Sequence, residues 1–196
     1  MSWTAADTYR EGLDFFTAVV DGVPAGSWQR PAPCEGWTAL DVLGHLGQAA
    51  DMGARILRGG DMTFERAEPP STAVEGDPTS WWHTLADDAR DALATVDDLD
   101  REVDSPMGRR TVREGLSFPA VDLFIHGWDL AIATGQTVVI PDEAIAFTRA
   151  MFENIPDEVS RRPGVFAARV DAPAGASPTD ELIAFAGRDP NWTPGG

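Results

Sequence analysis

The sequence predicts an all-α protein: an antiparallel four-helix bundle with an extra helix and an irregular C-terminal arm. Three observations carry this. Apolar residues recur at spacings of three and four through most of the first 155 positions. The stretches are set off by cap and breaker residues at helix spacing. The length of 196 residues, with 43% hydrophobic and 24% charged side chains, suits one ordinary globular core. Residues 1–155 are expected to form the bundle and 156–196 an arm packed on it, making one domain overall.

The elements follow in order. Thr4 to Val20 places Tyr9, Leu13, Phe16, Val19 and Val20 on one helical stripe, closed by Gly22, Pro24 and Gly26. Thr38 opens the second helix, with Thr38-x-x-Asp41 in the form of a capping box. Leu40, Leu43, Leu46 and Ala50 form its stripe, and Ile56–Leu57 end it before Gly59–Gly60. Residues 59–78, rich in Gly, Pro and acid, read as a long surface connection that permits a crossover. Asp77 or Thr79 opens a third helix through Trp81, Trp82, Leu85, Ala89, Leu93 and Val96. Arg101–Ser105 and Arg109–Arg113 are expected to pair as a small hairpin around Pro106-Met107-Gly108. A fourth helix is expected from about Ser117 to Thr134, stopped by Gly135. A fifth follows Pro141 and ends before Pro156. The tail reads as irregular, with apolar patches at Val165–Phe166 and Leu182–Phe185.

Composition excludes several function classes. The net charge is −17 and the sequence pI is about 4.3, so phosphate backbones and anionic membrane surfaces are repelled. No stretch approaches 18 consecutive apolar residues, and the N-terminus lacks the basic and apolar regions of a secretory signal. No nucleic acid and no membrane are expected as partners, and the expected location is cytoplasmic. All 15 basic residues are arginines, which excludes Schiff-base catalysis and a phosphate-binding Walker lysine. Neither a G-x-G-x-x-G nor a G-x-S-x-G pattern occurs. Cys34, the single cysteine, excludes an intramolecular disulfide and a multi-cysteine metal site, and reads as a small buried apolar residue.

The chain has three histidines. His45 lies mid-helix between Gly44 and Gly47, on the stripe with Leu46, Ala49 and Met52. Glycines tolerated inside a helix mark a close approach by a neighbour or a ligand. Asp122, His126 and Asp129 are spaced i, i+4, i+7 and share one face of the fourth helix, where buried polar groups are costly without a partner. Two readings stay open. One is a divalent cation held by His45, Asp122 and His126, with open positions as in a catalytic site; Zn²⁺ fits this donor set, as do Fe²⁺ and Ni²⁺. The other is a buried His45 hydrogen-bonded to a core partner and an Asp–His hydrogen-bonded pair on the fourth helix, with Asp129 solvated. Asp41 makes a second Asp-x-x-x-His pair and is a candidate partner for the far side of His45, although its capping role accounts for it as well. His83 reads as a surface or packing residue. Trp128 is the tryptophan expected nearest the site, unless its position on the helix turns it toward a neighbouring element.

These motifs resemble a known family. Pro33-Cys34-Glu35-Gly36-Trp37-Thr38, His45-Leu46, Asp122-x-x-x-His126-x-Trp128-Asp129-Leu130-Ala131 and Ala186-Gly187-Arg188-Asp189-Pro190-x-Trp192 occur in family order. Together they resemble the DinB-like superfamily, in the branch of mycothiol-dependent maleylpyruvate isomerase-like proteins. The resemblance implies a four-helix bundle holding a divalent metal on His45, Asp122 and His126. The isomerase usually carries Glu where this chain has Asp122; its closer single-domain relatives commonly have Asp. It also has a separate C-terminal domain, for which this chain is too short.

The resemblance further implies a small thiol cofactor, mycothiol or a similar one, made nucleophilic by the metal. The thiolate adds to an electrophilic carbon, and S-transfer or isomerisation follows. Asp129 serves there as a base or as support for a ligand. Arg188 and Arg169 are candidates for binding a small-molecule substrate. Two other classes remain as alternatives: a hydrolase using the same metal with Asp129 as base, and a non-catalytic metal-binding or scaffold protein. Monomer and homodimer are both compatible with the sequence. Ile145, Phe147 and Phe152 on the fifth helix are expected to cover either the tail or another subunit.

Overall fold

A computed structural model describes residues 2–64, 66–105, 108–153, 155, 161 and 167–194. The helices are α1 (Ala5–Asp21), α2 (Ala39–Leu57), α3 (Pro78–Thr95), α4 (Val112–Thr134), α5 (Asp142–Glu153) and α6 (Pro178–Phe185). A 3₁₀ turn covers Pro70–Ala73, and the hairpin strands are β1 (Glu102–Val103) and β2 (Arg110–Thr111). Glu102 pairs with Thr111 and Val103 with Arg110, antiparallel; the expected hairpin forms, but it is shorter than 101–105 with 109–113 because α4 takes over at Val112. Pro106, Met107, Pro156 and the Val165–Phe166 patch lie outside the described residues.

Side-chain caps set most of the helix starts. Thr4 and Asp7, Thr38 and Asp41, Thr111 and Glu114, and Ser177 and Asp180 each form a capping box, and Asp77 caps α3. Two of these correct the sequence reading. Helix α4 begins at Val112, five residues before the expected Ser117, because Thr111-x-x-Glu114 starts it and Pro119 is accommodated within it. The tail is not wholly irregular: Ser177-Pro178-Thr179-Asp180 caps α6, whose Leu182 and Ile183 are fully buried.

Helices α1 to α4 close a ring in the order α1, α4, α2, α3. Helix α1 runs parallel to α4: Gly12 lies against Leu123, Gly127 against Phe15, and Gln136 donates to the Val19 carbonyl. It runs antiparallel to α3, where Trp82 donates to Thr17 and Arg90 pairs with Asp14. Helices α2 and α4 are antiparallel, with His45 beside Asp122 and Ile56 beside Gly115. Helices α2 and α3 run the same way, so the chain between them must travel the length of the bundle. The 58–77 connection does this. Arg55 holds Asp61 and the Thr63 carbonyl, Gln48 accepts from the Ala67 amide, and Asp41 accepts from the Ser71 amide. This is the crossover that the connection's length permits.

The core lies between these helices. Trp82, Tyr9, Phe16, Leu13, Leu43 and Leu46 are fully buried, and Trp82 meets Phe16 edge-on with ring centroids 4.6 Å apart. Helix α4 is long and apolar enough to cross a membrane by length and composition, but 78% of that stretch is buried inside the bundle, as befits a central helix. The apolar side of α5 covers the tail: Ile145 shares a cluster with Leu182 and Ile183, and Phe152 packs on Ala186 and Phe185.

The crossover approaches α2 at a glycine. A Cβ on Gly44 would overlap the Pro70 carbonyl, a backbone group that cannot swing away. Gly44→Ala gains roughly 1 kcal/mol of helix propensity but forces the crossover outward, an overpacking cost of about 1–3 kcal/mol. The expected result in urea unfolding is a net loss of stability. A gain would show that the approach is not as close as described.

A candidate metal centre between α2 and α4

Capping by Thr38 and Asp41 fixes the start of α2 and therefore the turn on which His45 stands. Facing it, α4 supplies Asp122 and His126 one turn apart. One ligand-type atom from each of His45, Asp122 and His126 lies within 4.8 Å of the others. The rings of His45 and His126 sit 4.9 Å apart at 69°. His45 Nε2 is 3.6 Å from Asp122 Oδ2, too long for a hydrogen bond. The three side chains thus converge at separations that a shared cation could bridge.

The surroundings set the protonation of these groups. Burial pushes His45 below its ordinary value, more strongly than Asp122 pulls it up. Burial alone would raise Asp122, but His45 and His126 outweigh it and hold the carboxyl below its usual range. The pair therefore presents a neutral imidazole and a carboxylate at neutral pH, the forms that bind metals.

Asp129 lies behind His126 and is fully buried, not solvated as the hydrogen-bonded alternative expects, because the charge of Arg188 reaches it inside the fold. Its Oδ2 is 2.9 Å from His126 Nδ1. An ionised carboxylate only accepts, so Nδ1 is the donor in this bond and Nε2 is the nitrogen left for a cation. The same oxygen accepts from Cys34 Sγ at 3.2 Å and from Arg188 Nη2 at 3.0 Å. Burial would raise the Asp129 carboxyl, but Arg188 and then His126 hold it well below the usual carboxylate range. Cys34 moves the other way: burial, with the adjacent Asp129 charge, pushes its thiol well above its ordinary value.

Two aromatic residues border the pair of histidines. Trp37 stacks on His126 at 5.7 Å and lies 5.2 Å from His45, while Phe64, from the crossover, meets His45 edge-on at 5.7 Å.

Several expected positions change. Trp128 turns away from the site into the cluster with Ile140, Ile145 and Leu182, and Trp37 takes the place assigned to it. Asp41 gives its oxygens to Thr38 and the Ser71 amide; none of its described bonds reaches His45, so its role is the cap and the tie to the crossover. Arg188 is buried against Asp129 rather than facing a substrate, and Arg169 stacks over Phe185 at 4.6 Å. His83 keeps its expected place at the surface, in an exposed pair with Asp21. Cys34, read as apolar filling, is a hydrogen-bond donor to the network. Only the Cys34-Glu35-Gly36-Trp37 motif hinted at this, because no local spacing ties residue 34 to residues 126 and 129.

Fold and donor set together define a helical-bundle protein built around a candidate two-histidine, one-carboxylate metal centre. Residues 9–131 match the mycothiol maleylpyruvate isomerase N-terminal domain family, and the chain belongs to it. Uncharacterised proteins from two strains of Mycobacterium tuberculosis are 26% identical over 181 residues, covering 92% of this chain and 95% of theirs. Crystal structures of the mycothiol-dependent maleylpyruvate isomerase and of a histidine-to-alanine mutant superpose with a TM-score of 0.63. They share 14–15% identity with this chain and cover 76% of it and 68% of their own length, so they establish the common fold.

The burial of His45 gives a pH prediction for the metal-free protein. Its folded pKa lies below the ordinary 6.5, so the unfolded chain binds the proton more tightly. Stability is fully present above that value and falls as the pH is lowered through it. Thermal unfolding from about pH 7.5 to about pH 5.5 should show a declining midpoint, and His45→Gln should flatten that decline.

Proposed function

We propose that this protein is a divalent-metal-dependent enzyme that uses a low-molecular-weight thiol, mycothiol or a similar one, for S-transfer or isomerisation of a small electrophile. The observation that carries the reading is the convergence of His45, Asp122 and His126 with Asp129 fixing the far nitrogen of His126. Zn²⁺ is the ion best suited to this donor set, and Fe²⁺ or Ni²⁺ also fit. A cation there supplies positive charge that lowers the pKa of a thiol, so that thiolate is available at neutral pH.

The chain's own residues divide the remaining work. His45, Asp122 and His126 bind, and Asp129 orients His126. Trp37 and Phe64 limit the water reaching the two imidazoles and offer apolar surface to a small ligand. The nucleophilic sulfur comes from outside the chain, because Cys34 is held as a thiol that donates to Asp129. The chain's family carries the name of a mycothiol-linked isomerase, which supports the same assignment.

One observation favours the thiol reading over a hydrolase on the same donors. A hydrolase needs an open general base beside the attacking water. Asp129, the acid proposed for that task, has no exposed surface and accepts from three residues at one oxygen.

Untagged protein should purify with about one equivalent of Zn, Ni or Fe by elemental analysis. His45→Ala and His126→Ala should both lose it. Turnover of an electrophile should require added thiol, and each variant should fall by more than the roughly 10- to 100-fold typical of losing an outer partner of a metal ligand. Wild-type protein that takes up no divalent ion after reloading would refute the metal reading. Turnover without thiol would favour the hydrolase.

A further inference from the structure

We infer that Arg188 is a positioning residue of the metal centre, delivered by the C-terminal arm to fix Asp129 and, through it, the ring of His126. The inference rests on the metal reading above and adds a role for a segment outside the bundle.

The arm is built to place this side chain. Helix α6 ends with a Schellman turn: the Gly187 amide donates to the Ala184 carbonyl and the Arg188 amide to that of Ile183. Gly187 has φ +82°, a left-handed conformation that favours glycine, and a Cβ there would meet Ala167 and Ala168 within 3 Å. The turn reverses the chain just before Arg188, whose side chain is 10% exposed. Burial of Leu182 and Ile183 against α4 and α5 anchors the helix that carries it.

The guanidinium grips the carboxylate from one side. Nε lies 3.3 Å from both oxygens of Asp129, and Nη2 lies 3.0 Å from Oδ2. Nη1 donates to the Ala186 carbonyl, and Nη2 lies 3.6 Å from Cys34 Sγ. Arg188 therefore reaches the turn before α2, the face of α4 and its own arm at once. A planar fork of this kind sets the plane of a carboxylate, which a point charge does not. That plane decides where Oδ2 points, and Oδ2 holds His126 Nδ1. With the fork removed, the carboxylate is free to rotate and the imidazole loses its fixed orientation. Burial among these partners also leaves Arg188 little surface for a substrate.

The test uses the full chain with Zn²⁺ and Co²⁺ as probes. Zinc affinity is read by competition with a chromophoric chelator, and cobalt geometry by the visible absorption spectrum. Arg188→Gln should weaken zinc binding about 10- to 100-fold and alter the cobalt spectrum. Arg188→Lys, which keeps the charge but loses the fork, should bind zinc more weakly than wild type and more tightly than Arg188→Gln. In an Asp129→Asn background, Arg188→Gln should have little further effect on zinc affinity, since it acts through that carboxylate. A merely structural role would instead add its full loss to that of Asp129→Asn, and such additivity overturns the inference. If Arg188→Gln does not fold, Arg188→Lys decides: affinity and cobalt spectrum equal to wild type also overturn it. Wild-type protein that binds neither ion removes the metal reading and this inference together, whereas tight wild-type binding with unchanged variants removes only the role of Arg188.

Discussion

A carboxylate with no exposed surface needs fixed positive charge and hydrogen-bond donors close by, and Asp129 obtains them from three separate parts of the chain. His126 comes from one turn earlier on α4, Cys34 from the turn before α2, and Arg188 from the end of the arm. Leaving a buried charge uncompensated costs several kcal/mol, so these segments cannot separate cheaply. The packing of the arm on α4 and α5, the approach of the Cys34 turn and the orientation of His126 are all tied to that one group.

The second constraint is the direction of α3. Because α2 and α3 run the same way, the connection must return along α2 before α3 can begin. Asp41, Gly44 and Gln48 line its path, the first as a cap and an acceptor, the second as a place without a side chain, the third as a bridge. The result is functional as well as topological, since the returning chain brings Phe64 against His45. A connection that looks like surface filler in the sequence thus supplies one wall beside the imidazoles.

The chemistry around the site is divided between two sides of one ring. Toward α2, His126 meets His45 and Asp122, whose ligand-type atoms converge within 4.8 Å, with 3.6 Å between His45 Nε2 and Asp122 Oδ2. Toward the arm, it meets a saturated network. This asymmetry matters because an imidazole can present a lone pair to a cation only on the nitrogen that is not protonated, and the saturated side holds the proton. The neutral thiol of Cys34 belongs to that side too, which separates it from any role as the attacking sulfur.

The sequence by itself determined the local features. Helical periodicity and the Thr38–Asp41 capping box located α2, and the i, i+4, i+7 spacing put Asp122, His126 and Asp129 on one face of α4. These are legible because neighbours along a helix are fixed by its constant turn per residue. Local signals also existed for the early start of α4 at Thr111 and for α6 at Ser177, but Pro119 and the Pro- and Gly-rich tail obscured them. Tertiary structure alone decided the rest. Whether Trp37 or Trp128 stands at the histidines depends on how α4 is rotated against α2 and α5. That Cys34, Asp129 and Arg188 meet depends on three segments separated by 95 and 59 positions closing on one buried charge. No periodicity encodes such a meeting, because it is set by the packing of whole elements rather than by the geometry of any one of them.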